Sequence, residues 1–345
     1  MIPLDQFRPI TRLELPQQQR LRPKFPVIDA HSHLTRTKDV AKVLDDMDRY
    51  GIRMIVDMDG FWDERMDYQL KHYVEPHPDR FTIFGRVNLC GIDEPDFERK
   101  ARQRVLECVE RGATGLKFSK SLGVKLTDKN GVYLKPDDPR LQVIWATAAE
   151  CDLPVTIHIA DPPSFFDKVI DETHERYEEL AGHPNWSYGN RPCPRFPELM
   201  EAQERLLAAN PNTRFIVAHV GSHAENLAEV SRMLDTYPNM FVDTAERISE
   251  LGRQPYTSRD FLIKYQDRVV YGTDLLPTPS NISGNYRFFE TRDEYFPYNS
   301  LDEHNQGRWN IYGVYLPDDV LQKIYYKNAL RLIPRLAKLL PDLAP

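Results

Sequence analysis

From position 27 onward, short runs of apolar and β-branched residues alternate with longer segments in which apolar positions recur every three or four residues. The first kind predicts strands and the second helices. Eight strands are expected: VIDAHSHL (27–34), IRMIVDMDG (52–60), FTIFGRVNL (81–89), ATGLKFS (113–119), LPVTIHIA (153–160), RFIVAHVGS (214–222), MFVDTA (240–245) and VVYGTDLL (269–276). Their interiors are almost continuously apolar, as parallel strands covered outside by helices should be. Between them, TKDVAKVLDDMDRYG, DFERKARQRVLECVERG and ENLAEVSRMLDTYP each end at Gly or Pro and predict surface crossover helices. Asp138 before Pro139 marks another helix start, because proline has no N–H to lose at the first helical position.

Eight such βα units predict a (β/α)₈ TIM barrel formed as one domain by residues 27–345, preceded by an extended N-terminal segment, 1–26, rich in Pro, Gln and Arg. A doubly wound open sheet is the structural alternative. It would normally carry a glycine-rich phosphate turn after the first strand, where this chain has HSHLTRT. Two connections are too long for plain crossovers, the one after the fifth strand (162–213) and the one after the eighth (277 to about 316). In a barrel both leave the face that carries active sites, so they are candidate walls of a pocket. Surface insertions or an oligomer interface are the other reading. The second connection holds Tyr286, Phe288, Phe289, Tyr295, Phe296, Tyr298, Trp309 and Tyr312, which suit stacking on a planar or sugar-like substrate or, equally, packing of the insertion itself.

Composition narrows the partners. Of 345 residues, 41% are hydrophobic and 28% charged, enough apolar material for a large core. The net charge of −7 comes from interspersed acids and bases, with no basic tract to follow a phosphate backbone or an anionic lipid surface. A small-molecule substrate is therefore expected, with no nucleic acid and no membrane as partner; a homo-oligomer is compatible with such a barrel. Cys90, Cys108, Cys151 and Cys193 are widely spaced and read as free thiols. With no apolar run of ~18–20 residues for a membrane span and no export signal at the start, a cytoplasmic location is expected.

The chemistry is written at the strand ends. His31 and His33 are separated by one residue, and alternation along a strand would point both imidazoles the same way, into the barrel mouth. His158 ends the fifth strand, His219 the sixth and Asp274 the eighth. Closing the barrel brings these ends around one cavity, where imidazoles and a carboxylate suit zinc or a similar divalent ion. A bound ion of that kind lowers the pKa of water towards ~7 and polarises a carbonyl. Asp274 is then placed to move the water proton, and His219 to hydrogen-bond a developing oxyanion or carry the proton itself.

The HxH pair, followed by His, His and Asp at later strand ends over about residues 27–334, resembles the amidohydrolase superfamily. Within it, the set is similar to the amidohydrolase-related branch that includes the aminocarboxymuconate semialdehyde decarboxylase relatives. The resemblance implies a single metal, Zn²⁺ in the first instance, held by His31, His33, His158 and Asp274, with His219 beside the metal-bound water. Binuclear members carry a carboxylated lysine on the fourth strand, so Lys117 leaves a two-metal version open. The activity implied is hydrolysis of a C–N or C–O bond, such as an amide, cyclic amide or lactone. Non-oxidative decarboxylation of an unsaturated or aromatic carboxylic acid is the alternative, and a silent binding protein on an inherited barrel would be expected to have lost part of the set. Lys120, Arg191 and Arg195 are candidates for an anionic substrate group, Asp29 and Asp243 for supporting the ligands, and His223 is set aside as the start of a helix.

Overall fold

The computed structural model describes residues 2, 3, 6, 7, 10–16, 18, 20–298 and 306–343. Eight strands, β1 (Val27–Ser32), β2 (Ile52–Asp57), β3 (Phe81–Gly85), β4 (Gly115–Phe118), β5 (Val155–Ile157), β6 (Phe215–Val217), β7 (Met240–Asp243) and β8 (Val269–Val270), follow one another in sequence order around a sheet. Every neighbouring pair is parallel. The ring closes through backbone bonds between the segment after β8 and β1: Ala30 N–H donates to the Tyr271 carbonyl at 2.9 Å and Thr273 N–H to the His31 carbonyl at 3.2 Å. The expected (β/α)₈ barrel is therefore the fold. Each strand lies inside its predicted run but stops earlier, because the chain leaves the ladder just where the polar residues begin.

The crossover helices form where the periodicity places them. Helix Val40–Tyr50 is capped by Asp39, whose side chain accepts from Lys42 N–H at 3.0 Å, and it ends at Gly51 with φ of 74°. A side chain at Gly51 would meet both that left-handed backbone and Pro23, 2.6 Å from its Cβ. Helices Phe97–Glu110 and Leu227–Thr236 bury one face each, through Phe97, Ala101, Val105 and Cys108 and through Leu227, Val230, Met233 and Leu234. Asp138 accepts from Arg140 N–H ahead of a short 3₁₀ turn, Pro139–Leu141, that runs into helix Gln142–Glu150.

Two packed layers hold the cylinder. Between strands and helices, Trp145 sits edge-on to Phe118 and Phe215, with ring centroids 4.7 and 5.8 Å away. Inside the barrel, Ile28, Met54, Val56, Phe84, Ile216 and Val270 pack with Leu330, Ile333, Leu336 and Leu340 of the C-terminal segment. That apolar filling leaves the opposite end, where the strands finish, for polar groups.

The two long connections contain structure of their own. After β5 come a turn at Pro163–Phe166, helix Tyr177–Gly182 and the crossover helix Phe196–Ala209. After β8 comes helix Pro279–Glu290, started by Thr278 and Pro279 although Asn, Ser and Gly occupy its first turns. Its Tyr286, Phe288 and Phe289 are fully buried, as is Phe296, and Tyr286 and Phe289 pack around Tyr271 and Tyr325. These rings pack the insertion and do not line the cavity, which corrects the stacking role open to them from the sequence. The N-terminal segment lies along the same insertion: Gln18 N–H donates to the Asp293 carboxylate at 2.8 Å and Lys24 N–H to Glu290 at 3.0 Å. Among the described residues, no helix is long and apolar enough to cross a membrane.

Trp145→Ala is expected to destabilise the fold by about 3–5 kcal/mol, through lost burial plus the cavity left between two aromatic edges. A lower urea midpoint at an unchanged denaturant slope checks it.

Candidate metal centre

His31, His33 and Asp274 come together at the C-terminal end of the barrel, with one donor atom from each lying within 4.8 Å of the others. Their approach depends on a break in the strand pattern. Ile28 and Ala30 point into the apolar interior, and strict alternation would send His31 to the other face. Along β1, however, Asp29 stands opposite Ile55 and Ser32 opposite Asp57, three steps against two on β2. The extra residue turns His31 inward, as bulges near active sites do. Asp29, buried, fixes this turn by accepting His31 N–H at 3.1 Å and the Thr273 hydroxyl at 2.5 Å.

Each imidazole is oriented from behind by a carboxylate. His31 Nδ1 meets Asp243 Oδ2 at 2.7 Å and His33 Nδ1 meets Asp59 Oδ1 at 2.8 Å. A proton held on Nδ1 leaves Nε2 of both rings as the free donor, the arrangement that supports histidine ligands in metal sites. Nε2 of His33 lies 3.0 Å from Asp274 Oδ1, and Nε2 of His31 lies 3.9 Å from the same oxygen and 2.9 Å from Lys117 Nζ. Two neutral-capable imidazoles and a carboxylate therefore form a group fitted to a divalent cation.

The electrostatics agree with that fit. Burial lowers the His31 pKa, helped by Lys117 and opposed by Asp243. His33 is raised: burial works against its charge, but the hydrogen bonds it donates to Asp274 and Asp59 outweigh it. Asp274 is held well below the usual carboxylate range by His33 and His31 in spite of burial. The negative charge that favours a proton on His33 is the charge a cation would meet there, so ion and proton compete for this place.

His158 and His219 stand beside this group. The His219 ring lies 5.2 Å from His31 and 4.3 Å from His158, centroid to centroid, with His219 Nε2 at 3.3 Å from His158 Nδ1. His219 Nδ1 donates to the Ala245 carbonyl at 2.9 Å, which leaves Nε2 unprotonated in the neutral ring. Burial takes His158 down to about 4 and His219 well below its ordinary value, so both are neutral. His158 is thus within the cavity but outside the His31–His33–Asp274 group. Lys117, also buried, is lowered to about 8 by burial against the pull of Asp274 and Asp243.

The backbone at these strand ends is bent in an unusual way. His219, Val220, Glu246 and Asp274 all have positive φ, between 54° and 64°. Each costs about 1–2 kcal/mol for a residue with a side chain, most for β-branched Val220. The turns are held by Asp243, which accepts His219 N–H at 2.8 Å, and by the His31 carbonyl, which accepts Asp274 N–H at 2.6 Å.

A cavity of about 730 Å³ opens over the group and is lined by His33, His158, His219 and Asp274 together with Arg36, Lys120 and Arg247. Lys120 is paired with Asp161 at 2.5 Å, while Arg247 bonds only the Glu246 carbonyl among the described residues. Arg191 and Arg195 do not reach the cavity; they bond the Asn185 carbonyl and the Tyr188 and Gly189 carbonyls. His223 packs against Phe196, away from the group.

Sequence reasoning passed over Asp59, Asp161, Arg36, Glu246 and Arg247. The strand-end rule that found Asp274 applies to the Asp57-Met58-Asp59 and Ala245-Glu246-Arg247 stretches as well, and Asp161 follows His158 by three residues. Glu246 accepts from Gln306 at 3.0 Å, and burial and Asp274 push it up to about 7.

Comparison with known proteins adds the wider frame. The sequence model of the family described as "Amidohydrolase" matches residues 11–335. No curated protein matches the sequence. Among solved structures, the chain is similar to the 2,6-dihydroxybenzoate decarboxylase from Rhizobium, at 17% identity over 90% of this chain and 99% of that one, with a TM-score of 0.55. It is similar to a dihydroxybenzoic acid decarboxylase from Polaromonas sp. JS666 with bound manganese and the inhibitor 2-nitroresorcinol, at 16% identity over 90% and 97%, TM-score 0.53. A putative amidohydrolase from Staphylococcus aureus matches at 15% identity over 91% and 99%, TM-score 0.52. At these identities the likeness establishes the fold.

Asp59→Asn is expected to weaken divalent-metal affinity by about 10–100-fold, because the neutral amide no longer fixes the His33 ring. Titration of the metal-free protein against a competing chelator measures it.

Proposed function

The chain belongs to the amidohydrolase family, and from that premise we propose that it is a metal-dependent decarboxylase of a small unsaturated or aromatic carboxylic acid. The observation that carries the reading is the His31–His33–Asp274 group opening onto a cavity whose wall mixes cations, Arg36, Lys120, Arg176 and Arg247, with carboxylates, Asp161, Glu178, Glu179 and Glu246. Among these cations Arg247 makes no direct ion pair among the described residues, although Glu179, Glu225 and Glu246 lie within its field, so it is the one best placed to meet a substrate carboxylate. The fold-mates from Rhizobium and Polaromonas are decarboxylases, which points the same way.

His31, His33 and Asp274 are assigned to the ion, and His158, which stands just after β5 beside His219 and outside that group, is its proposed fourth ligand. When bound, a divalent ion supplies a Lewis acid that polarises a substrate oxygen. The chain's own residues do the rest. Arg36 and Arg247 orient the carboxylate, and His219, fixed through Nδ1, offers Nε2 as the atom where a proton is taken up and handed on. Asp274 sits at 3.0 Å from His33 Nε2, placed to share in the same proton movement. The reaction balances as R–COO⁻ + H⁺ → R–H + CO₂, so one proton must reach the carbon that loses the carboxyl group.

One ion is the preferred number, since three donors converge as one group. Two tightly bound equivalents per chain would overturn that and bring in a carboxylated Lys117. Imidazole and carboxylate donors suit zinc and manganese alike. Hydrolysis of a C–N or C–O bond in an amide, cyclic amide or lactone uses the same donors; the family match supports it, and the decarboxylase fold-mates rank it second.

Protein loaded in turn with Zn²⁺ and Mn²⁺ is expected to release CO₂ from members of a panel of hydroxybenzoic and unsaturated acids, to lose this on chelation and to regain it on re-addition. A new carboxyl group formed from amides or lactones, with no CO₂ from any acid, would overturn the decarboxylase in favour of hydrolysis. Asp274→Asn is expected to lower kcat by at least ~10²-fold at an unchanged circular dichroism spectrum. Near-normal turnover would remove Asp274 from the reaction.

A further inference from the structure

The connection after β5 brings a second kind of surface to the cavity. Phe165, His183 and Trp186 all line it. The Trp186 indole is stacked on His183, with centroids 4.1 Å apart and planes inclined by 17°. Phe165 lies nearly parallel to it, inclined by 20°, but at 6.5 Å, near the outer limit of about 7 Å for a ring pair in contact. Phe165 is itself held in place: it is 3% exposed, and the Arg176 guanidinium lies over its ring at 5.6 Å. Arg176 in turn is buried between Glu179, at 2.7 Å, and Glu250.

Trp186 differs from the buried aromatics of the second long connection. Tyr286, Phe288, Phe289 and Phe296 are packed to 0% exposure, whereas Trp186 keeps 41% of its surface open. Leaving that much indole in water forgoes burial that the fold achieves elsewhere, and a ring backed at contact distance by another is held in a fixed attitude. An open, flat apolar face in the lining of a cavity that carries guanidinium groups and carboxylates side by side matches a ligand with a planar body, its anionic head being the one the carboxylate-substrate reading supplies.

We propose that Trp186, backed by His183 and flanked by Phe165, is the platform on which the substrate's planar, conjugated ring stacks, and that it selects such a ring over a saturated one of equal charge. Trp186 acts here by positioning and specificity. The proposal rests on the carboxylate-substrate reading and adds the residue that recognises the substrate's body.

Benzoate and cyclohexanecarboxylate, alike in charge and similar in size but different in planarity, are the probes, bound by calorimetry to the full metal-loaded chain. The wild type is expected to prefer benzoate by about tenfold, Trp186→Phe to keep most of that preference, and Trp186→Leu to lose it. Being exposed, position 186 should tolerate both changes, which matching thermal unfolding curves verify. Equal binding of the two probes by the wild type, or an unchanged preference in Trp186→Leu, overturns the platform. The same variants assayed for CO₂ release separate the two ideas. Loss of the preference in Trp186→Leu with no CO₂ from any acid supports the platform and removes the decarboxylase. CO₂ release from an aromatic acid with the same KM in Trp186→Leu removes the platform and leaves the decarboxylase.

Discussion

The site depends on two carboxylate–imidazole hydrogen bonds, a buried one between Asp243 and His31 and a partly buried one between Asp59 and His33. A free imidazole can turn and can carry its proton on either nitrogen. A carboxylate behind Nδ1 fixes both, so that each Nε2 is presented in one direction. Asp243 does more than hold a ring, since its other oxygen accepts the backbone N–H groups of His219 and Ala245. One side chain on β7 thereby sets the attitude of a histidine on β1 and the backbone turn that carries a histidine on β6.

Around that pair of bonds the protein accepts local strain in return for placement. The left-handed residues at the ends of β6, β7 and β8, and the extra residue in β1, each interrupt regular structure where a functional side chain must face the cavity. The apolar interior below, closed by the C-terminal segment, supplies the stability that such departures consume. The cavity walls are tied together in a similar way. Buried Arg176, from the connection after β5, pairs with Glu250 beyond β7, and Ser249 next to Glu250 bonds Gln306 of the connection after β8. Gln306 also donates to Glu246, so three separate connections share one polar network next to the site. Removing one member would leave a buried charge or dipole without its partner, the costly way to break such a network.

Much of this was legible in the sequence. All eight strands fall within the predicted runs, because the parallel barrel buries both strand faces and so writes each strand as an apolar block. His31, His33, His158, His219 and Asp274 do gather at one end, since each closes such a block. Less legible was the helix Pro279–Glu290, whose weak helix formers conceal a structure made by burial of Tyr286, Phe288 and Phe289. The same burial is why those rings pack the insertion, while the cavity takes its aromatic wall from Phe165, His183 and Trp186 on the other connection.

By itself, the sequence determined the order of strands and helices and the end of the barrel at which the chemistry collects, because both follow from local pattern along the chain, apolar blocks for the strands and a 3.6-residue period for the helices. Only the tertiary structure decided which residues meet. Asp59 and Asp243, far apart in the chain from His31 and His33 or from each other, become their partners through the curvature of the closed sheet. The facing of His31 depends on an irregularity measured against a neighbouring strand, and no pattern within β1 alone records it. Ring closure, register and the packing of long connections are relations between distant segments, and a linear pattern carries only what each segment prefers by itself.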